Sequence, residues 1–465
     1  MDSKDLAQIV RQVLARLERE MDSAGGGGCP YGFSAVDEAV EAAATAQTTW
    51  HRDFNIQAKS KIIAGLRKDL LDHLEELARL ALEDTGMGRL DDKILKKELA
   101  ITRTPGPEYF TTKAVSGDNG LVLEELAPFG VIASITPSTN PVASVINNTI
   151  AMIAGGNAVV FAPHPGAKRS TLRAVEIINE SLGRQGAPCG LVTTLTAISM
   201  ENVDHLMKHP KVRLVAATGG PGVVHAALSS GKPAIGAGPG NPPVVVDETA
   251  HLRQAAIDVI LGCSFDNNLP CTSEKELIVV NCVAEELKRH MLENGAHELK
   301  AASEIGKLRD LVFDDKGKPD KSCVGKDATW LLRKIGVVVP AKTRVILIEC
   351  DEQDPFVQEE MLMPILPLVR VADFDEALAM ALRVEHGFRH SAAIHSTNID
   401  NMSLMARLME TTIFTKNAPS FASLGYGGDC PTAFTIATST GQGPTTPLSF
   451  CRLRRCTLHG AFRII

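Results

Sequence analysis

The most informative stretch of this 465-residue sequence reads Ser264-Phe265-Asp266-Asn267-Asn268-Leu269-Pro270-Cys271-Thr272-Ser273-Glu274-Lys275. It follows apolar residues at helical spacing (255, 256, 259 and 260) and precedes the apolar run Leu277-Ile278-Val279-Val280. The pattern therefore predicts that Cys271 lies on a loop between a helix and a strand, where a thiol can face a cleft. Because a thiolate is a strong nucleophile, Cys271 is a candidate covalent catalyst. The alternative is that it is a free cysteine that fills space.

The size and composition indicate a large α/β protein. A chain of 465 residues has room for two or three domains. A net charge of −7 does not suggest a broad nucleic-acid or anionic-membrane surface. Aromatic residues make up only 4%, while 38 glycines suit many strand–turn–helix corners. No apolar stretch of membrane-spanning length and no signal-peptide pattern is present, so we expect a cytoplasmic protein without membrane contact.

Ten cysteines are scattered along the chain without a CxxC pair or a metal-ligand spacing. We therefore expect reduced thiols and no structural metal.

Residues 1–20 stand apart from the rest. Their apolar side chains recur at the spacing of one helical face, at Leu6, Ile9, Val10, Val13, Leu14 and Leu17. Residues 21–33 contain the run Gly25-Gly26-Gly27-Gly28 and are predicted to form a flexible linker. The helix either folds back on its own domain or docks into a groove of a partner protein.

Strands and helices alternate over most of the chain. Residues 34–99 have a helical pattern, and from about residue 121 strand and helix patterns follow each other up to about residue 236. A second alternating block covers about 250–430. Such alternation predicts parallel, doubly wound sheets. The tail around Phe450–Cys456 is predicted to be an edge or subunit-contact strand.

Three further segments suggest chemistry. Thr136-Pro137-Ser138-Thr139-Asn140-Pro141 directly follows a strand, so the Asn140 amide can donate to a developing oxyanion; Asn before Pro is also a common turn. Thr218-Gly219-Gly220 lies at a strand-to-helix junction, which suits a pyrophosphate but lacks the G-x-G-x-x-G spacing. Gly236-Ala237-Gly238-Pro239-Gly240-Asn241-Pro242-Pro243 is predicted to be a flexible loop before a strand.

Taken together and in this order, these segments resemble the aldehyde dehydrogenase superfamily, and within it the CoA-acylating branch of bacterial microcompartments. The resemblance also includes Glu83–Gly88, Ala127–Ile132 and Ala162-Pro163-His164-Pro165, and it covers essentially the whole chain. It implies two doubly wound α/β domains and a β-arm for oligomerisation. The implied divisions are a targeting helix (1–20), a linker (21–33), an NAD-binding domain (34–236, with 108–127 in the arm), a catalytic domain (237–430) and a return segment (431–465).

The resemblance also implies residue roles. Cys271 attacks the aldehyde, and the Asn140 amide with the Cys271 backbone N–H holds the oxyanion. Glu360 binds the nicotinamide ribose, unless it is only a surface glutamate at the start of a strand. The remaining implied cofactor-binding residues are Thr136, Pro137, Pro163, His164, Thr218, Gly219, Gly220 and Leu362.

Two departures from hydrolytic aldehyde dehydrogenases are informative. Those enzymes carry a glutamate that activates water at the position of Gly236. Without a carboxylate there, the thioester persists until coenzyme A arrives. Those enzymes also carry a ribose-binding lysine at the position of Ala162, so the choice of NAD over NADP rests on weaker grounds; we favour NAD.

The resemblance therefore predicts an enzyme that oxidises a short-chain aldehyde, with propanal favoured over acetaldehyde, and transfers the acyl group to coenzyme A. A homodimer or homotetramer is implied, as is residence in a microcompartment through docking of residues 1–20 on a shell or cargo protein. The alternatives are a hydrolytic aldehyde dehydrogenase and a catalytically silent interaction protein.

Overall fold

The computed structural model describes residues 29–460 and 462–464. The predicted targeting helix 1–20 and most of the linker lie outside the described residues. No helix within the described part of the chain is long and apolar enough to cross a membrane.

The first sheet is parallel and has six strands. Its central strands are continuous apolar runs, such as Val131-Ile132-Ala133-Ser134-Ile135, because helices cover a parallel sheet on both sides. In spatial order the strands are β1 (Gly32–Phe33), β6 (Val192–Leu195), β5 (Ala158–Ala162), β4 (Val131–Ile135), β7 (Val212–Thr218) and β8 (Ala234–Ala237).

Eight α-helices belong to the described residues of this half of the chain. Four come before the sheet's central strands, and the other four connect its strands. They are α1 (Val36–Asp53), α2 (Ile56–Leu71), α3 (Leu74–Thr85), α4 (Leu90–Thr102), α5 (Pro141–Ala154), α6 (Lys168–Arg184), α7 (Met200–Lys208) and α8 (Pro221–Leu228). One hydrophobic cluster joins most of them to the strands, with Trp50, Ile132 and Phe161 among its fully buried members.

The second sheet is parallel and has seven strands. In spatial order they are β11 (Ala296–Leu299), β12 (Val345–Glu349), β13 (Ile365–Val371), β10 (Glu276–Val280), β9 (Pro243–Val246), β14 (Ser391–His395) and β15 (Ile413–Lys416). Successive residues of one strand enter different clusters: Leu277 and Val279 pack on one face, and Ile278 and Val280 on the other. The sheet is therefore buried on both faces, as a doubly wound sheet must be.

The helices of the second half follow or precede these strands in the same alternating way. They are α9 (Leu252–Ser264), α10 (Asn281–Glu293), α11 (Ala302–Val312), α12 (Ala328–Lys334), α13 (Pro355–Gln358), α14 (Phe374–Val384) and α15 (Ile399–Met409). The predicted domain boundary at residues 236 and 237 falls inside β8.

A separate antiparallel sheet of three strands combines two distant parts of the chain. β2 (Lys113–Gly117) and β3 (Gly120–Pro128) form a hairpin, and β18 (Cys451–His459) pairs with β3 along its whole length. Eight of the nine residues of β18 are exposed. A small two-stranded ladder of β16 (Ile436–Ala437) and β17 (Gly443–Pro444) precedes it.

Two expectations from the sequence differ from the structure at the described end of the linker. Gly32 and Phe33 form β1 rather than a tether, and an added Cβ at Gly32 would lie 3.0 Å from Thr196 Cγ2, so the strand packs closely. Cys29 is bonded to Cys189 in a disulfide, whereas all ten cysteines were expected to be reduced. The pair lies 160 residues apart in sequence, so no spacing pattern could indicate it.

Candidate active site

Cys271 lies on the loop between α9 and β10, as the sequence pattern predicted. The loop begins with Asp266, Asn267 and Asn268, which all adopt left-handed backbone conformations with φ of 45°, 56° and 66°. Asp and Asn tolerate this region better than other side chains, although each such residue costs about 1–3 kcal/mol. Hydrogen bonds offset the cost: Asn267 Nδ2 donates to Gly325 O at 2.9 Å, and Asn268 Nδ2 donates to Glu274 O at 2.9 Å.

The surroundings of Cys271 disfavour its ionised form. Its side chain is half-buried against Ile413, Leu424 and Ile436. Burial raises the pKa of the Cys271 thiol to about 12, and the Glu360 carboxylate adds to the rise, while Lys275 and the residue's own backbone N–H oppose it. At pH 8 such a thiol is ionised in only about one molecule in 10⁴, so efficient attack needs a nearby proton acceptor.

Lys275 holds the Cys271 loop from behind. Its buried ammonium donates to Asn268 O at 3.0 Å, to Asn268 Oδ1 at 2.5 Å and to Pro270 O at 3.4 Å. It also partly offsets the rise in the pKa of Cys271. The buried Lys275 ammonium therefore fixes the backbone of the loop, while the Cys271 thiol stays partly exposed.

Asn140 occupies the N-cap position of α5, on the segment that joins β4 to this helix. Its side chain does not cap the helix; Nδ2 donates to Thr139 Oγ1 at 3.5 Å, and Oδ1 accepts a short hydrogen bond from Lys96 Nζ. The Lys96 ammonium also pairs with Asp266 on the Cys271 loop. Lys96 thus connects the two residues that the resemblance placed in catalysis.

The predicted cofactor residues Thr136, Pro163 and Thr218 lie together. Thr136 and Pro163 directly follow β4 and β5, and Thr218 is the last residue of β7. These strands are adjacent in the first sheet, so all three residues stand at its carboxyl edge. Thr136 N–H donates to Ala162 O at 3.2 Å, and Thr218 Oγ1 lies 3.1 Å from Thr435 Oγ1. Thr136 Oγ1 is buried and has no hydrogen-bond partner among the described residues.

The residues at this edge fit a dinucleotide. Gly220 precedes α8 with φ −64° and ψ 167°, a conformation open to any residue, and an added Cβ there would meet nothing within 4 Å. Glycine is therefore required there neither by the backbone nor by packing, and an approaching phosphate at the helix N-terminus would explain it. The orphaned Thr136 hydroxyl gives the same edge a buried polar group for a ligand to satisfy.

The other predicted cofactor residues are placed differently. Pro137 is half-buried beside Thr136. The Gly219 N–H donates to Ala237 O at 3.1 Å. The His164 side chain is exposed and accepts from the Gly166 N–H at 3.1 Å. Burial and Lys321 lower the pKa of His164. Leu362 belongs to the loop before β13, has φ 51°, and accepts from Gly325 N–H at 2.9 Å.

Gly236 is closely packed against α8. It lies in β8 and not in a flexible loop, contrary to the sequence prediction, and its N–H donates to Thr440 Oγ1 at 3.1 Å. A Cβ there would lie 2.9 Å from Val224 Cγ1. A side chain at this position would therefore require the Val224 side chain on α8 to shift.

Glu360 lies at the amino edge of the second sheet, in the loop before β13. Burial raises the pKa of its carboxyl group to about 7, opposed by Lys275 and by a hydrogen bond from the Gly240 backbone. Its charge in turn raises the pKa of Cys271. The loops that carry Gly240, Cys271 and Glu360 enter β9, β10 and β13, which are adjacent strands. The three loops therefore lie at the same edge of the sheet, and the Glu360 carboxylate is near enough to influence the ionisation of the Cys271 thiol.

Known proteins share this architecture. A model of the aldehyde dehydrogenase family matches residues 32–307 and 339–428. The chain belongs to the aldehyde dehydrogenase family. It is 46% identical over 466 residues to the propanal dehydrogenase (CoA-propanoylating) of Citrobacter freundii, covering 100% of both chains.

Solved structures of this family are similar throughout. The propionaldehyde dehydrogenase of Rhodopseudomonas palustris, with bound CoA and an acylated cysteine, superposes with a TM-score of 0.92 at 50% identity, covering 93% of this chain and 99% of that one. A propionaldehyde dehydrogenase from the fucose utilisation bacterial microcompartment of Clostridium phytofermentans gives a TM-score of 0.92 at 46% identity, covering 94% and 100%. The predicted family, fold class and CoA-acylating enzyme class are confirmed.

The sequence interpretation did not single out several residues of the site. Lys96 and Asp266 form a buried ion pair beside Asn140, and Lys275 donates to the loop that carries Cys271. His390 packs on Gly240, where an added Cβ would lie 2.6 Å from its ring. Burial and Lys275 lower the pKa of His390 to about 4, so its ring is neutral at pH 7. Asp266 and Lys275 lie within the quoted Cys271 segment, and this proximity in sequence was the available signal.

Proposed function

We propose that this aldehyde dehydrogenase oxidises a short-chain aldehyde, propanal before acetaldehyde, and passes the acyl group to coenzyme A. The observation that carries the proposal is the combination of a half-buried thiol at Cys271 with a crowded glycine at Gly236. The first supplies a covalent acceptor for the acyl group. The second removes the carboxylate that would release it to water.

Three residues of the chain have separate roles in acylation. Cys271 Sγ bonds to the carbonyl carbon, and its proton passes to Glu360, whose pKa of about 7 suits proton transfer near neutral pH. Asn140 Nδ2 and the Cys271 backbone N–H donate to the oxyanion. When bound at the carboxyl edge of the first sheet, NAD supplies the hydride acceptor, and the thioester remains on Cys271. The CoA sulfur then bonds to the thioester carbon, the bond from that carbon to Cys271 Sγ breaks, and the proton of the CoA thiol ends on Cys271 Sγ.

Glu360 thereby has two roles in the proposal. The resemblance assigns its carboxylate to the nicotinamide ribose, and its electrostatic coupling to the thiol assigns it the proton of Cys271. The two roles make different demands: the first affects the binding of NAD, and the second affects the pH dependence of acylation.

The choice of cofactor rests on the residues after β5. Ala162 and Pro163 are buried and uncharged, and a cation directly at the adenine-side ribose would be needed to favour a 2′-phosphate. Lys168 and Arg169 begin α6 nearby and are exposed. We therefore propose NAD as the preferred cofactor.

The assembly and location belong to the same proposal. Residues 1–20 dock the enzyme on a shell or cargo protein of a bacterial microcompartment, and the exposed strand β18 joins subunits into a homodimer or homotetramer. The likeness to the Clostridium phytofermentans enzyme supports the location. The long exposed edge of β18 supports the subunit contact, because uncovered edge strands invite pairing.

The test follows NADH by absorbance with propanal and NAD, with and without CoA, and quantifies propanoic acid and propanoyl-CoA in the same samples. Sustained turnover only with CoA, giving propanoyl-CoA, is expected. Without CoA, one NADH per active site should form and then stop, because the thioester stays on Cys271. Parallel runs with NADP and with acetaldehyde rank the cofactor and the substrate.

Two outcomes would contradict the proposal. Sustained release of propanoic acid without CoA would mean that a residue other than one at position 236 activates water. The absence of aldehyde-dependent NADH with either aldehyde would favour a catalytically silent interaction protein.

A further inference from the structure

Three lysines of α4 are buried beside the Cys271 loop. Lys93, Lys96 and Lys97 expose only 2%, 2% and 3% of their surface. Buried ammonium groups are costly unless they are paired, so this cluster needs a reason. Lys97 stands apart: its Nζ donates to Lys93 O at 3.2 Å, and burial, with the nearby Lys93 and Lys96, lowers its pKa well below the ordinary value.

Lys93 and Lys96 share one carboxylate oxygen, Asp266 Oδ2. The Lys93 contact is 3.3 Å, and the Lys96 contact is shorter. The other oxygen of Asp266 accepts from Arg89 N–H at 2.7 Å, and Asp266 N–H donates to Asp92 Oδ2 at 3.0 Å. Asp266 is therefore held at every polar atom of its side chain, which fixes the position of the two ammonium groups.

Lys96 makes one further contact, to Asn140 Oδ1. An ammonium group has only donors, whereas the two ends of a carboxamide differ: one accepts and the other donates. The amide oxygen must therefore face Lys96, and the NH₂ group must face away from it. An isolated asparagine could adopt either orientation with little difference in energy, so Lys96 removes the alternative.

We propose that Lys96 is a positioning residue that sets the orientation of the Asn140 amide, so that Nδ2 points at the oxyanion and donates to it. This inference rests on the proposed function, because it concerns the oxyanion of the acylation step. Lys96 touches no reacting atom in this proposal. It acts through Asn140, and Asp266 on the Cys271 loop keeps it in place.

The electrostatics agree with this role. Burial and Lys93 lower the pKa of Lys96 to about 8, while Asp266 and Asp92 oppose the fall. At pH 7 the group is therefore mostly charged and able to donate to both partners. A positive charge on the carbonyl side of the amide also polarises it, which makes its N–H groups stronger donors.

The kinetic test compares Lys96→Met with Lys97→Met, the neighbouring buried lysine that does not contact Asn140. The readout is the rate of the NADH burst with propanal in the absence of CoA, which isolates acylation. We expect Lys96→Met to slow the burst by about 30-fold or more with KM for propanal changed less than about threefold, and Lys97→Met to stay within about threefold. A Lys96→Met burst within about threefold of wild type would overturn the proposal.

Asn140→Ala completes a double-mutant cycle. The single variant should lose about 10²–10³-fold, as expected for one oxyanion donor. If Lys96 acts only through Asn140, adding Lys96→Met to Asn140→Ala should change the rate by less than about threefold. Independent, multiplying losses would overturn the proposal, because they would show that Lys96 acts by another route.

A crystal structure of Lys96→Met gives a readout that does not depend on activity. We expect the Asn140 side chain to rotate or to adopt two orientations, whereas an unchanged orientation would overturn the inference. If Lys96→Met does not fold, Lys96→Gln replaces it, since the glutamine amide can serve either end of Asn140 and should give an intermediate rate and two orientations. Loss of all NADH formation in the wild type would count against the proposed function, and the crystal structure would then decide the positioning role alone.

Discussion

The two sheet edges that form the candidate site carry different kinds of polar group. At the carboxyl edge of the first sheet, the polar groups are the hydroxyls of Thr136 and Thr218 and the backbone at Gly219 and Gly220. At the amino edge of the second sheet they are ionisable. Burial raises the pKa of Glu360 to about 7 and that of Cys271 to about 12.

The difference extends to the residues behind the thiol. Burial raises the pKa of Glu274 to about 7, although its oxygens accept from Ser420 N–H at 2.8 Å and Ser420 Oγ at 2.7 Å. Burial also raises the pKa of Glu276 well above the ordinary value, and its oxygens have no hydrogen-bond partner among the described residues. An edge lined by backbone and hydroxyl groups suits a ligand that must bind and leave. At the edge with buried ionisable groups, a single substitution shifts the pKa values of its neighbours and so changes proton transfer.

The largest expected effect is at Cys271. Cys271→Ala removes the atom that accepts the acyl group, so both the NADH burst and CoA-dependent turnover should fall by at least about 10⁴-fold. Stability should change by about 1 kcal/mol or less, because the side chain is half-buried. Cys282→Ala is the matched control: this thiol is exposed on α10, and activity should be retained.

Glu360 provides the next test of the charged edge. Glu360→Gln should slow the NADH burst at pH 8 by about 10- to 100-fold, because an amide cannot accept the thiol proton. In the wild type, the burst rate should rise as pH increases through about 7, since the carboxyl group, with its raised pKa, becomes a base only above that value. The variant should lose this rise.

The control for Glu360 is its neighbour Glu359. Its carboxylate pairs with Lys318 at 2.7 Å at the surface, so Glu359→Gln should keep the wild-type pH profile. A Glu360→Gln enzyme that keeps the pH profile but has a raised KM for NAD would assign the residue to the ribose and exclude it as the proton acceptor.

The sequence predicted much of the fold because buried parallel strands leave a direct signal. Runs such as Val131–Ile135 and Leu277–Val280 are buried on both faces of their sheets, so the sequence is almost continuously apolar there and does not alternate with polar residues as it would in a half-exposed strand. The loop position of Cys271 and the strand-end positions of Thr136 and Thr218 follow from those runs. Residue roles came from the resemblance and stay predictions.

The rest of the site depends on contacts between distant segments. Lysines at positions 93, 96 and 97 share one face of a helix, a pattern that normally indicates solvent exposure, yet all three are buried on Asp266 and its neighbours. Only the tertiary structure brings residue 96 to residue 266. The same holds for the disulfide between Cys29 and Cys189.

Gly236→Ala tests how closely α8 packs on β8 in the first sheet. Gly236→Ala places a Cβ about 2.9 Å from Val224 Cγ1, so the free energy of unfolding should fall by about 1–3 kcal/mol, measured by chemical denaturation. Adding Val224→Ala should recover part of the loss through a favourable coupling between the two sites. Gly183→Ala in α6 is the control, since its added Cβ meets nothing within 4 Å, and it should not destabilise the fold.

The smallest expected effect is at the backbone-lined edge. Gly220→Ala fits the chain without strain, because φ is −64° and the new Cβ meets no atom within 4 Å, so the melting temperature should not fall. Only a ligand at the N-terminus of α8 would meet the methyl group, and we expect KM for NAD to rise about three- to tenfold with little change in kcat. Gly306→Ala in α11, equally uncrowded and outside the candidate site, should leave KM unchanged. If Gly220→Ala also leaves KM for NAD unchanged, the pyrophosphate does not approach this helix, and the backbone at Gly219 and Gly220 is not part of the cofactor site.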